Sequence, residues 1–309
     1  MKEIIYDETS VMHGKYPEIK KLGICSPWGE ATPFVWNGRL MRLELCDPCK
    51  GTQVTQEVHS LIRDAESGEI VSRVAYGCYF QSGYLEGDTF YVLGVDSQQR
   101  DTIRIFESKD LIHWTGRQLL RNPGWVYYNT GLTKGPDGYV LLMESSEPRE
   151  RIGAPFTHVF ATSPDLIHWT FLDPEEYSLT RERYQGGPWL KYVDGWYYAI
   201  AVEHLPCNIY TNYLFRSQDL KNWHVGKYNP LLMASNEDKK VSPYMWDISQ
   251  EEYDRIQTAY NINNSDIDMC DWNGKTYIMY LCGNQLGNYW AADAIYDGTV
   301  KELLEGFFV

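Results

Sequence analysis

The stretch Ser163-Pro164-Asp165-Leu166-Ile167-His168-Trp169 occurs three times in this chain, and its repetition decides the fold. Ser108-Lys109-Asp110-Leu111-Ile112-His113-Trp114 precedes it by 55 residues, and Ser217-Gln218-Asp219-Leu220-Lys221-Asn222-Trp223 follows it by 54. A short strand-like run comes before each copy, at Thr102 to Phe106, His158 to Ala161 and Tyr213 to Phe215. Ser and Asp side chains hydrogen-bond neighbouring backbone in tight turns. The Leu and Trp supply apolar area to the next strand. A fixed period near 55 residues marks a repeated supersecondary unit, here one four-stranded propeller blade per period.

A second repeat lies between copies of the first. Turn pairs at Asn37-Gly38, Gly87-Asp88, Asp137-Gly138, Asp194-Gly195 and Asn273-Gly274 each separate two apolar, aromatic-rich runs. Such dipeptides are strong hairpin signals. Five hairpins predict an all-β, five-bladed β-propeller, each hairpin forming the two inner strands of a blade. The SxDLxxW turns then join the outer strands of the second, third and fourth blades. In the first blade the outer strands turn at Ser67-Gly68, and in the fifth Ala291 to Tyr296 is expected to turn at Asp297-Gly298. The chain reads as a single domain over 1–309, with blades at 26–77, 78–122, 123–176, 177–228 and 263–298 and an insertion at 229–262. Within the insertion Ser249 is the expected cap of a short helix over Gln250 to Ile256. Thr299 to Glu305 reads as a terminal helical turn.

The formal charge of −14 argues against nucleic acid or an anionic membrane as partner. No apolar run approaches the roughly 18 residues of a membrane span. Met1 to Asp7 carries no signal-peptide core, so a cytoplasmic location is expected unless a signal has been removed. The cysteines (Cys25, Cys46, Cys49, Cys78, Cys207, Cys270 and Cys282) are odd in number and scattered, which favours reduced thiols over a disulfide framework. Cys46-Asp47-Pro48-Cys49 is a lone CxxC without a second ligand pair, so no zinc site and no cofactor is expected.

In a propeller the innermost strand runs down the channel and its partner returns. Residues eight before the turn glycine and six to eight after it therefore reach the same mouth. This places Glu30 and Glu44 together in the first blade, Asp96 in the second, and Asn129 with Glu144 in the third. Gln185, Glu203 and His204 come from the fourth, and Asp266, Asp268, Asn284 and Gln285 from the fifth. Acids at one end of otherwise apolar hairpins are costly to place near a channel without a use. Each has a plainer reading too: Glu44 and Glu144 as partners of arginines such as Arg42, Asp96 as a loop cap, His204 as a packed histidine. Asp266 and Asp268 flank Ile267, so alternation sends both to one face. His113 and His168 are turn residues on the outer rim.

Five blades, SxDLxxW outer turns and acids at inner-strand starts resemble the five-bladed propeller glycoside hydrolases, above all the family 43 type. The resemblance spans Ser26 to about Asp297. It implies a base aspartate in the first blade, a modulating aspartate in the second and an acid glutamate in a Glu-Gly-Pro context. The first position matches Glu30 in Gly29-Glu30-Ala31-Thr32-Pro33. The Glu-Gly-Pro position reads Gly186-Gly187-Pro188, and Tyr79 to Leu85 holds no carboxylate. The acid must come from elsewhere.

Glycosidic hydrolysis needs a proton donor and a second carboxylate. Glu203, beside the vacated Gly186, is the expected acid, with Glu30 or Asp266 as base and His204 as the alternative acid. Expected substrate contacts are Asp268, Glu144, His204, Asn129 and Trp189, with Trp28, Trp125, Tyr127, Tyr128 and Trp290 as further channel aromatics. Arg149, Arg151, Arg181 and Arg183 reach the same mouth. They either neutralise nearby glutamates or clamp a substrate anion through Arg151 or Arg183. The expected activity is an exo-acting, inverting glycoside hydrolase on an oligosaccharide or glycoside. A phosphorylase would instead require phosphate for turnover, a silent carbohydrate-binding propeller would bind without turnover, and a protein-interaction propeller fits the gathered acids least.

Overall fold

The computed structural model describes residues 16–49, 54–246, 248–284 and 286–308. Among these residues, five four-stranded antiparallel sheets form the blades. The first blade runs outward through β2 (Ala31–Trp36), β3 (Arg39–Cys46), β4 (His59–Asp64) and β5 (Ile70–Val74). The second comprises β6 (Cys78–Glu86), β7 (Thr89–Asp96), β8 (Thr102–Ser108) and β9 (Thr115–Arg121). The third comprises β10 (Val126–Gly135), β11 (Gly138–Glu147), β12 (Thr157–Ser163) and β13 (Thr170–Phe171). The fourth comprises β14 (Gln185–Val193), β15 (Trp196–Leu205), β16 (Ile209–Ser217) and β17 (His224–Val225). The inner strand of each blade packs against the inner strand of the next, and β18 (Asn263–Trp272) against β2 closes the ring.

The fifth blade corrects the expectation for the last repeat. Its strands are β18, β19 (Lys275–Gly283), β20 (Tyr289–Tyr296) and, outermost, β1 (Ile19–Ser26). β20 is therefore the third strand, and the outer place goes to the N-terminal strand, with Ile24 opposite Ala292. Asp297-Gly298 leads instead into a helix, α3 (Val300–Gly306), whose capping box joins Thr299 and Glu302. Donating the first strand to the last blade covers an edge that would otherwise be left unpaired. A repeat search cannot see this, because β1 lies outside the repeating unit. Four of the five hairpin loops fall on the expected dipeptides. In the third, Gly135 pairs Gly138, so the loop is Pro136-Asp137, one residue earlier.

The three SxDLxxW turns are alike in their bonding. In each, one aspartate oxygen accepts the backbone N–H groups two and three residues on. The distances are 2.9 and 2.8 Å at Asp110, at Asp165 and at Asp219. Each serine hydroxyl donates to the same aspartate, at 2.9–3.2 Å. The turn forces Leu111, Leu166 and Leu220 into left-handed backbone, φ 62°, 63° and 62°. Each leucine is buried nonetheless, and burying one stabilises by roughly 1.5–3 kcal/mol, which offsets the backbone cost. The tryptophans follow the same rule. Trp114 packs between the first and second blades, Trp169 between the second and third, and Trp223 between the third and fourth.

One irregularity of the inner hairpins positions the site. In β6 two residues, Phe80 and Gln81, face the single residue Gly94. Tyr128 and Asn129 face Glu144, Gly187 and Pro188 face Ala201, and Asp266 and Ile267 face Tyr280. Each is a two-against-one bulge at the same height, and such bulges re-aim side chains. Phe80, Gly187 and Asp266 meet it with left-handed backbone, φ 54°, 52° and 47°. The insertion carries α2 (Gln250–Thr258), capped by Ser249 as expected, the hydroxyl accepting from Glu252 N–H. Another short helix, α1 (Arg149–Ile152), follows β11.

Candidate active site

The bulges open a cavity of about 60 Å³ at the mouth where the inner strands begin. Glu30, Gln81, Asn129, Gly187, Asp266 and Asp268 are among its lining residues. A second cavity, of about 390 Å³, occupies the other end of the channel. The two share Thr32, Gly83, Leu132, Trp189, Leu190 and Asp268, which form a collar between them.

Three carboxyl groups from three blades meet around one amide. Asn129 Nδ2 donates to Glu144 Oε2 at 3.2 Å and to Asp266 Oδ1 at 3.2 Å, so those two oxygens lie at most twice that distance apart. Glu144 Oε2 also accepts Gly187 N–H at 3.0 Å, and Asp266 Oδ2 accepts the Ser265 hydroxyl at 2.5 Å. Glu30 Oε2 is buried with no hydrogen-bond partner. Burial, then repulsion from Asp266 and Glu144, holds Glu30 well above the ordinary glutamate value, with the Asn129 amide opposing them. Burial is also the largest influence on Glu144, pushed up to about 7, with Asp266 adding to it and the Gly187 and Asn129 donors opposing it. Asp266 is raised by burial too, but the Ser265 hydroxyl favours its anion. Burial thus favours the neutral form of both groups lining the cavity, more strongly for Glu30, which also feels the repulsion of Asp266 and Glu144.

Glycine completes the cluster. A Cβ on Gly187 would stand 2.7 Å from Asp266 Oδ1 and 2.7 Å from Val202 Cγ2, so no other residue fits there without moving the carboxylate. A Cβ on Gly186 would collide with the Tyr184 hydroxyl and approach Glu144 Oε1 to 3.1 Å. The space beside Gly186 is therefore already filled from Tyr184 and Glu144. Burial and then the negative field of Glu144, Asp266 and Glu30 push the Tyr184 phenol up, keeping it protonated.

Glu203 does not enter this space. It pairs with Gln185 across the hairpin, while Gly186 pairs with Val202, so the pleat turns the two positions to opposite faces. Its carboxylate accepts Arg183 Nε at 2.8 Å, Arg183 Nη2 at 2.9 Å and Gln185 Nε2 at 2.7 Å. His204 is exposed, stacked on Tyr210 at 4.5 Å and hydrogen-bonded to Asn208. Arg151 pairs with Asp173, as Arg149 does with Glu147 and Arg181 with Glu175. Glu44 is held by Arg42 at 2.9 Å, both fully buried, and Asp96 caps the loop through Gln98 and Gln99 N–H.

Asp268 lines the cavity but is pinned by Trp189 Nε1 at 2.7 Å and Met269 N–H at 2.7 Å; burial raises it to about 6. Trp189 belongs to both the cavity wall and the core. Tyr127 and Trp290 are fully buried, and Trp125 packs on Tyr127 and Phe171, so these three are packing residues. Gln285 lies outside the described residues.

Reading the sequence missed Gln81, Tyr184 and Phe156. Gln81 Oε1 is a second buried acceptor without a partner at the cavity. Tyr184 joins an aromatic arc along the mouth: Phe80–Tyr128 at 5.3 Å, Tyr128–Phe156 at 4.9 Å and Phe156–Tyr184 at 5.5 Å. For Tyr184 and Phe156 the only signal in the sequence is an aromatic residue just before a strand, too common to single out.

No family model and no curated protein sequence matches the chain. Solved structures do. The structure of a BT0996–RGII complex is 12% identical, covers 95% of this chain and 96% of its own, and has a TM-score of 0.65. The catalytic domain of the Coprinopsis cinerea GH62 alpha-L-arabinofuranosidase is 11% identical over 93% of this chain and 99% of its own, TM-score 0.60. The xylan beta-1,4-xylosidase from Bacillus halodurans C-125 is 15% identical over 91% of this chain and 53% of its own, TM-score 0.58. At such identities the likeness is one of fold: the chain is built on the five-bladed β-propeller shared by these glycoside hydrolase structures.

Proposed function

We propose that the protein is a glycoside hydrolase acting at the end of a sugar chain with inversion of configuration. The observation that carries this reading is the pair Glu30 and Asp266, two buried carboxyl groups from different blades lining one cavity, both raised by burial and Glu30 the more strongly. Glu30 gives its proton to the glycosidic oxygen as the bond from that oxygen to the anomeric carbon breaks. Asp266 takes a proton from the water that attacks the anomeric carbon from the other face. The products are the released alcohol and a sugar of inverted configuration, with Glu30 ionised and Asp266 protonated until both exchange with solvent. Asn129, itself tied to Glu144, and the Ser265 hydroxyl hold Asp266 in place. Gln81 Oε1 and Glu30 Oε2 offer acceptors to the hydroxyl donors with which a sugar is densely furnished. The small volume of the cavity, about 60 Å³, favours a chain end over a mid-chain segment.

The test uses leaving groups. Glu30→Gln should cut kcat/KM by about 10³ on a glycoside with a poor leaving group and far less on an activated aryl glycoside, because protonation then matters little. Asp266→Asn should lose activity on both. Equal losses in Glu30→Gln on the two substrates would refute the proton-donor assignment.

A further inference from the structure

Arg100 is the arginine at this mouth that the cluster of ion pairs leaves out. It sits in the loop between β7 and β8, at the same end of the channel as the carboxyl cavity. Its Nε and Nη2 both donate to the Tyr127 carbonyl, at 3.1 and 2.7 Å. The guanidinium lies over the Tyr128 ring at 4.3 Å and the Phe80 ring at 5.0 Å. Arg149, Arg151, Arg181 and Arg183 each have a carboxylate partner; Arg100 has none among the described residues. In a chain of net charge −14, a half-buried guanidinium with no carboxylate in ion-pair contact among the described residues stands out; the groups it feels are the Tyr128 hydroxyl and, more remotely, Glu144.

Its surroundings are those of a carbohydrate subsite. Phe80 and Tyr128 precede Gln81 and Asn129, which line the carboxyl cavity. The aromatic arc continues from them through Phe156 to Tyr184, beside Glu144. Phe80 and Phe156 hold left-handed backbone, φ 54° and 58°, an unusual and costly conformation for bulky residues. Strain of this kind gathers at ligand clamps. Aromatic faces stack on sugar rings, and a planar guanidinium fixed by two hydrogen bonds and two rings presents its outer edge for bidentate pairing.

We infer that Arg100, framed by Phe80 and Tyr128, binds the carboxylate of a uronosyl residue next to the sugar held in the carboxyl cavity. This names the substrate class for the hydrolase proposed above and rests on that reading for its catalytic consequence, though the binding claim stands apart from it. It also moves the anion contact from Arg151 and Arg183, both paired with acids, to a residue in the second blade.

The test measures binding and turnover separately. Wild type, Arg100→Gln and Arg100→Lys are titrated calorimetrically with galacturonate and glucuronate trisaccharides and with the same trisaccharides after reduction of their carboxyl groups to alcohols. Wild type should bind at least one uronide about tenfold or more tightly than its reduced form. Arg100→Gln should erase that preference while binding the reduced form within about threefold of wild type, which also shows that it folds, and Arg100→Lys should fall between. The inference is overturned if wild type shows no preference, if Arg100→Gln keeps it, or if Arg100→Gln weakens both ligands equally. It is equally overturned if inorganic phosphate alone binds through Arg100 and glycoside turnover requires it. Selective binding with no hydrolysis of any glycoside would refute the hydrolase while leaving this site intact. Hydrolysis with no selectivity would do the reverse.

Discussion

Glu144 is a carboxyl group that folding would rather keep neutral. It faces the bulge of β10, 3% exposed, with Gly187 N–H and Asn129 as donors and Asp266 as an unfavourable neighbour. Its value rises from 4.5 to about 7. A group raised on folding contributes its full stability below the unfolded value and loses it as pH climbs through the folded one. The cost of ionising it in place is on the order of 3 kcal/mol, at 1.36 kcal/mol per pKa unit. Glu144→Gln keeps an acceptor for Gly187 N–H and removes that cost. The variant's Tm should exceed wild type by about 3–6 °C at pH 8.5 and by much less at pH 5; a gain equal at both pH values would contradict the buried-acid account. Counting from the turn glycines made Glu30, Glu144, Asp266 and Asp268 legible as one group. It misplaced Glu203 because the count fixes the height along a strand but leaves open which face of the pleat a side chain takes. Asp266 and Asp268 reach one cavity through a bulge rather than through the alternation that the sequence pattern implies.

A bulge repeated in four inner hairpins is the element that makes the site. No period-2 pattern announces it, since it consists of a break in that pattern. The outer turns are the opposite case: the SxDLxxW motif spells out its own hydrogen bonds, and all three copies make them. Between these extremes lies the insertion after the fourth blade, whose helix α2 was legible from its Ser249 cap but whose docking was not. That docking rests on Lys21 in β1, whose Nζ donates to Asp238 at 2.9 and 3.0 Å and to Asn264 at 2.7 Å. Tyr280 O–H also donates to Asp238, at 2.9 Å. Asn264 lies two residues before Asp266, so this buried pair ties the first strand, the insertion and the start of β18 together. Removing one partner of a buried ion pair costs roughly 3–5 kcal/mol, because the other charge stays buried. Lys21→Met should lose that much in denaturant unfolding, and Lys21→Met with Asp238→Asn should recover part of it. A loss below about 1 kcal/mol in the single variant would show that the pair is not holding the insertion.

The ring as a whole converts distance along the chain into proximity. Glu30, Glu144 and Asp266 come from the first, third and fifth blades, yet Asp266 and Glu144 both raise Glu30, and Asp266 raises Glu144. The fifth blade, completed by β1, packs its inner strand against that of the first, which brings Asp266 and Glu30 to the same cavity. The architecture was legible because blades repeat; the closing strand was not, because a single donated strand has no copy elsewhere. Hydrolysis by two carboxyls from neighbouring ends of this ring is the central claim, and the released sugar reports on it directly. Wild type and the Glu30→Gln and Asp266→Asn variants would be followed by proton NMR on a panel of glycosides and oligosaccharides, in buffers with and without phosphate. The expected result is a free reducing sugar, inverted at the anomeric carbon when first released, in phosphate-free buffer. Both variants should be slower by about 10³ on unactivated substrates. A sugar released only as its 1-phosphate, or turnover unchanged in either variant, would contradict it.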